Sequence, residues 1–235
     1  MRWLQESWAV VQPVWLDVIL AFLVYQLVLV VGFALCILPG LLLIGPLTGG
    51  LFVYMARQTH GLPTKIGDIF SGMSRFADTT ILALVLFLVP AVFAGIMFIP
   101  SILAAMGSGG GDPSPLAGAT SCFGMIGVVL FMLVYPILVG TFCVFAYPLV
   151  MFRRMGAMDA LKTSYEVVKP RFMEFLLLLA ACALLLIVAG SVGGALVCIG
   201  TLVLSPLANA VVIGMLLAAY RDFFGLDRAT VEQYG

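Results

Sequence analysis

Residues 16–56 read LDVILAFLVYQLVLVVGFALCILPGLLLIGPLTGGLFVYMA, and this stretch decides the class of the protein. Its one charge is Asp17, at its very start. A membrane-crossing helix takes roughly 20 apolar residues, so the stretch is too long for one helix and long enough for two. Leu38-Pro39-Gly40 divides it with the two strongest local breakers. A first helix is therefore expected over 16–38 and a second over 40–56.

The same reading extends along the chain. Further apolar runs predict helices over 80–105, 122–150, 172–197 and 202–220, with Ile199-Gly200-Thr201 turning the chain before the last. The expected fold is all-α, a polytopic transmembrane bundle of six spans forming a single domain over 1–235. Composition agrees: 63% of residues are hydrophobic and 9% charged. A soluble domain carries about 25% charged residues, so water is not the solvent for most of this chain. Glu6 and Asp17 fall where a cleaved signal peptide is basic or apolar, and the run that follows is too long for one. Phe33-Ala34-Leu35-Cys36 is close to a lipoprotein cleavage site, but Leu35 is too large for the position before the cysteine. The first span is read as retained.

Placement of the charges orients the bundle. With six spans, all 11 basic residues fall on one side: Arg2, then Arg57, Lys65 and Arg75, then Arg153 to Arg171, then Arg221 and Arg228. The other side holds two tight turns and the loop Gly107–Ser121, whose one charge is Asp112. The positive-inside rule then puts both termini in the cytoplasm of a bacterial inner membrane. Tyr54, Tyr147 and Tyr220 each end an even-numbered helix shortly before an arginine, a position suited to the headgroup level. Leu4, Trp8, Val11 and Trp15 share one face of an N-terminal interfacial helix.

The two cytoplasmic loops carry matching apolar stripes. Ile66, Ile69, Met73 and Phe76 are spaced three, four, three, and so are Met158, Leu161, Tyr165 and Val168. Each predicts an amphipathic helix that packs under the bundle, meets membrane lipid or docks a partner. In the second, Lys162 and Glu166 are placed to pair, and Lys169-Pro170 ends the helix. Span, amphipathic helix, span is thus used twice in the same orientation, a weak parallel repeat.

Residues for chemistry are scarce. His60 is the one histidine and has no second ligand at metal spacing. Gly107-Ser108-Gly109-Gly110-Gly111 has no lysine to meet a phosphate. No catalytic residue, metal site, cofactor or nucleic-acid partner is expected. Cys36, Cys122 and Cys198 lie near outer helix ends, where an oxidising compartment permits one disulfide; three unpaired cysteines are the alternative. Asp17 and Glu174 sit at helix ends, so transport coupled to a buried carboxylate is disfavoured. Gln26 and Asn209 are the polar residues nearest mid-membrane and are expected to make interhelical hydrogen bonds. Gly45-x-x-x-Gly49 and Gly190-x-x-x-Gly194 would allow close helix approach, and Pro90 and Pro136 would kink their spans.

A family resemblance rests on short motifs. Pro46-Leu47-Thr48-Gly49-Gly50 followed by Gly67-Asp68-Ile69-Phe70-Ser71-Gly72 resembles a broad group of uncharacterised bacterial membrane proteins. That group includes the membrane domain attached to some glycerophosphodiester phosphodiesterases. Tyr147-Pro148-Leu149-Val150, Asp159 to Ser164, Lys169-Pro170 and the ending Ala219 to Gly225 are similar in style. The resemblance implies a six-helix fold and no settled activity, and the hydrolase domain of those fusions is absent here. The expected function is that of a non-catalytic accessory or scaffolding subunit of a membrane complex, reached through the cytoplasmic face. The alternative is a permease or lipid-handling protein without a buried-carboxylate coupling site.

Overall fold

A computed structural model describes residues 2–107, 127, 131, 135, 139–195 and 199–234, and among them there is no strand. The helices are α1 (Arg2–Val11), α2 (Trp15–Leu35), α3 (Ile37–Thr59), α4 (Phe76–Gly107), α5 (Ala146–Phe152), α6 (Ala157–Val168), α7 (Phe172–Ala195), α8 (Ile199–Phe224) and α9 (Arg228–Glu232). Three 3₁₀ segments join them: Gln12–Val14, Ile66–Arg75 and Lys169–Arg171. Among the described residues five stretches are long and apolar enough to cross a membrane: Arg2–Leu35, Leu38–Thr59, Ile66–Leu86, Ala157–Ala195 and Leu202–Phe224. Val139–Phe152 is apolar but shorter. The expected span 122–150 lies mostly outside the described residues. Two of its residues run beside α4: Phe131 stacks on Phe93 with ring centroids 3.7 Å apart, and the Tyr135 hydroxyl donates to the Val85 carbonyl at 2.6 Å.

Some boundaries differ from expectation. The first hairpin breaks at Cys36, whose backbone is extended, rather than at Pro39-Gly40. Pro39 falls in the first turn of α3, where a helix needs no N–H donor, so it starts the helix instead of ending one. Ile199, Gly200 and Thr201 are likewise the start of α8 and not a turn. Gly45 does bring α3 against the Thr79 backbone, but a Cβ at Gly190 or Gly194 would meet nothing within 4 Å among the described residues.

The amphipathic segments bury other residues than the stripes suggested. Residues 66–75 wind as a 3₁₀ helix, with Asp68 accepting from the Lys65 N–H at its start. Ile69 and Gly72 are buried, Met73 is half-buried, and Ile66 and Phe76 are exposed. The reason is a close backbone contact: a side chain at Gly50 would overlap the Ile69 carbonyl, and one at Gly72 the Pro46 carbonyl. That contact turns the segment so that positions three apart face α3. Arg57 and Asp68, both nearly buried, pair at 3.3 Å and tie the segment to the end of α3.

In α6 the buried face is rotated. Ala157, Ala160, Ser164 and Val168 are buried, Leu161 is half-buried, and Met158 and Tyr165 are exposed. Lys162 and Glu166 form no ion pair; the charges of the loop instead join neighbouring elements, as where Arg154 donates to Gln233. Small residues win the buried face because Ser164 enters a break in the preceding helix at 143–145. Its hydroxyl donates to the Phe142 carbonyl at 2.6 Å and accepts from the Phe145 N–H at 3.2 Å. Both backbone groups would otherwise be orphaned at the break.

A third copy of this arrangement appears at the N-terminus. Leu4, Ser7, Trp8, Val11, Pro13, Trp15 and Asp17 match Leu161, Ser164, Tyr165, Val168, Pro170, Phe172 and Glu174 at one constant offset. The match extends to structure. Ser7, like Ser164, is buried and donates to a backbone carbonyl, that of Val211, at 2.7 Å. Val11 and Val168 are both fully buried, while Trp8 and Tyr165 are exposed. Each proline sits in a 3₁₀ turn that leads into a long helix. The three segments close a ring: 66–75 packs on α3, α6 on α5 and α1 on α8. Ion pairs between Glu6 and Arg221 (2.7 Å) and between Arg2 and Asp222 fasten α1 to the end of α8.

Candidate functional site: a central uncharged cavity

At the middle of this ring lies a cavity of about 460 Å³. All three hairpins build its wall. The first contributes Phe22, Tyr25 and Gln26 from α2 and Thr48, Leu51 and Phe52 from α3. The second contributes Gly140, Cys143, Val144 and Tyr147, and the third Leu179 from α7 with Asn209, Ile213 and Leu216 from α8. The size is that of an ordinary small-molecule site, as is the mixture of apolar wall and few polar groups.

Gln26 and Asn209 both line this cavity, but neither makes the expected interhelical hydrogen bond. Asn209 uses its amide nitrogen on its own helix, donating to the Ser205 carbonyl at 2.8 Å. Ser205 lies one turn earlier on α8, so its carbonyl is within reach of the Asn209 side chain. The Gln26 carboxamide has no hydrogen-bond partner among the described residues. Facing them, the Tyr25 hydroxyl lies 3.4 Å from the Thr48 hydroxyl.

Tyr147 is the group that sequence reasoning placed elsewhere. It faces protein rather than lipid: it is 7% exposed, with its ring stacked on Phe52 at 6.0 Å. Its hydroxyl is buried and has no hydrogen-bond partner. Tyr54 and Tyr220 are also buried, because the ring of amphipathic segments covers the helix ends that the tyrosines occupy. Tyr25 and Thr48 were missed as well; a polar pair inside an apolar run, Tyr25-Gln26, was the available signal.

Among the described residues no charged side chain lines the cavity. Among the described residues no group of three or more His, Cys, Asp or Glu could hold a metal. Cys36 is free and exposed, and its candidate partners Cys122 and Cys198 lie outside the described residues. His60 bridges two backbone carbonyls, of Ala56 at 2.9 Å and Leu226 at 3.2 Å, and so fastens the C-terminal segment to α3. No protein-family profile, no curated protein and no solved structure matches the chain. The functional reading therefore rests on this geometry.

Four stripe residues, Ile66, Phe76, Met158 and Tyr165, are exposed, as is Phe70; Arg75 adjoins Phe76 in the chain, and the Lys169 ammonium lies 5.7 Å from the Tyr165 ring centre. Apolar side chains beside cations suit a lipid interface.

Proposed function

We propose that this chain is a six-span, non-catalytic protein of the bacterial inner membrane that binds an uncharged molecule in its central cavity, as a permease or lipid-handling protein does. The observation that carries the reading is the cavity itself: three hairpins line it, Gln26, Thr48 and Asn209 bring polar groups to it, and among the described residues no charged side chain does. An ionised guest would lose its hydration there without a counter-charge, at a cost of several kcal/mol, whereas a neutral guest needs only hydrogen bonds.

The six-span topology, with both termini in the cytoplasm, is supported by how the basic residues gather. Arg75 donates to the Arg154 carbonyl, Arg153 and Arg171 stack on Phe224 and Phe223, and Arg221 pairs with Glu6. These contacts bring basic residues from before, between and after the apolar helices to one end of the bundle. An even number of crossings between them accounts for that.

A second reading, the accessory subunit, is favoured by the exposed belt of Phe70, Met158 and Tyr165, which could meet a partner as well as lipid. Purification in mild detergent followed by native mass spectrometry separates the two. A bound small molecule that is lost when Gly140→Leu fills the cavity supports the first. An empty cavity with a stoichiometric partner protein supports the second.

A further inference from the structure

Three helices at the basic end run out in a left-handed residue: Gly61 after α3 at φ 64°, Arg154 after α5 at φ 53° and Gly225 after α8 at φ 71°. Glycine suits such a helix end because it has no Cβ to crowd the backbone. A larger side chain is strained there, and Arg154 is the one residue other than glycine with positive φ among the described residues. Capping does not account for an arginine at the third place, since glycine caps the other two. What the arginine adds is its side chain.

That side chain lines a groove of about 400 Å³ with Ser74, Arg75 and Tyr234. The end of segment 66–75, the turn after α5 and the C-terminal segment all meet there. Both hydroxyls have already committed their protons, Ser74 to the Ser71 carbonyl at 2.7 Å and Tyr234 to the Met151 carbonyl. The guanidiniums, each with several N–H donors, are only partly used. Arg154 donates to the uncharged Gln233 side chain at 3.2 Å, and Arg75 donates to the Arg154 carbonyl and, at 3.5 Å, to Asp78. Among the described residues Asp78 is the one carboxylate within ion-pair distance of either arginine. The groove is thus left with positive charge and open donors. A planar guanidinium fork matches the oxygens of a phosphate bidentately.

We infer that this groove binds a phosphate group, free in solution or carried by a lipid head, with Arg154 and Arg75 as the donors. The strain at Arg154 is what aiming a second guanidinium into the groove costs the fold. The site shares no lining residue with the central cavity, so it stands or falls independently of what that cavity holds.

The test uses the full chain in an uncharged detergent, with sodium chloride holding ionic strength constant. It reads the thermal unfolding midpoint against inorganic phosphate, dioctanoyl phosphatidic acid and dioctanoylglycerol, which lacks the phosphate. Anything that binds the folded state alone raises the midpoint with concentration. A rise with inorganic phosphate supports the inference and makes the source soluble. A rise with phosphatidic acid alone supports it and makes the source a lipid head. The diglyceride should leave the midpoint unchanged. Arg154→Gly removes the guanidinium and supplies the residue the backbone favours there. Without probe it should unfold no earlier than the parent, and it should need about tenfold more probe for the same rise, the worth of one charge-assisted hydrogen bond. Arg154→Asn, also tolerated in the left-handed region, is the second variant should the glycine leave the chain unfolded. Lys162→Ala removes an equal charge from α6 outside the groove and should respond like the parent. No rise with either phosphate probe overturns the inference, and so does a rise as large with the diglyceride. A rise that the Arg154 variants keep, or that Lys162→Ala loses to the same extent, overturns it by making the attraction one of general charge.

Discussion

The two ends of the bundle are held together differently. At the basic end, backbone meets backbone at Gly50 and Gly72, hydroxyls of Ser7 and Ser164 enter neighbouring helices, and Arg57 pairs with Asp68. At the far end, α7 leaves Leu184, Ile187, Val188 and Val192 exposed, and α2 leaves Leu27, Val30, Val31 and Leu35 exposed. Lipid tails are as apolar as leucine, so burying those side chains against each other would gain little. Helices in lipid hold where small residues permit close approach or where polar groups meet. Among the described residues the polar meetings gather at the basic end, while at the far end Gly32 and Gly40 bring α2 and α3 close together.

Paired substitutions can break the comparison. The largest effect is expected at Gly50→Leu, whose side chain would overlap the Ile69 carbonyl; overpacking against backbone should cost about 3 kcal/mol or prevent folding. Gly190→Leu, with nothing within 4 Å of its Cβ, should stay within about 0.5 kcal/mol. Thermal unfolding of both in the same detergent checks the pair, and equal losses would show that the far end is packed as well.

Next in size is the ion pair. Asp68→Ala strands Arg57, whose side chain is 10% exposed, and should destabilise by about 3 kcal/mol. Arg228→Ala, which breaks a pair more than half exposed, should cost well under about 1 kcal/mol. Denaturant titration reads both. A similar loss for each would remove the special standing of the segment 66–75.

Smaller again is the serine comparison. Ser164→Ala leaves the Phe145 N–H without its partner and should cost about 1–3 kcal/mol. Ser191→Ala removes only a bond to its own helix, to the Ile187 carbonyl at 2.8 Å, and should cost a few tenths of a kcal/mol. An Ile66→Ser, Tyr165→Ser double variant is predicted to leave stability within about 0.5 kcal/mol, since both side chains are exposed. What it should change is membrane contact, read as faster hydrogen exchange of residues 66–76 and 158–168 in anionic nanodiscs.

Topology sharpens the comparison without any energy. Cysteines introduced at Ser108 and Lys162 should react with an impermeant reagent from opposite sides. Labelling from the same side would break the six-span arrangement and, with it, the assignment of the packed end to the cytoplasm.

Much of the fold was legible in the chain because lipid imposes simple demands. Sixty-odd per cent apolar composition and long uncharged runs required membrane-length helices, and the placement of 11 basic residues fixed which helix ends belong together. Breaks were read less well. Pro39 marked a helix start rather than an end, because proline's missing donor is harmless in a first turn. The stripes in 66–76 and 158–168 were read partly on the wrong face: Ile69 and Val168 are buried, but Ile66, Phe76, Met158 and Tyr165 are exposed. Large apolar residues predict burial in water, but at a lipid interface they can stay outside while Gly72, Ala160 and Ser164 make the contact.

What the chain alone determined, then, is that it is helical and carries several apolar runs long enough to cross a membrane, with its basic residues expected at one end. Only the tertiary structure decided which side of each helix faces inward. α2 is apolar on every side, yet Val18, Ala21 and Phe22 are buried while Leu16, Leu20 and Leu27 are exposed. A helix whose solvent is hydrocarbon carries no amphipathic stripe to announce its inner face. For the same reason the meeting of Gln26, Thr48, Tyr147 and Asn209 was invisible in sequence. They stand on four different helices, and only the closing of three hairpins sets them around one cavity.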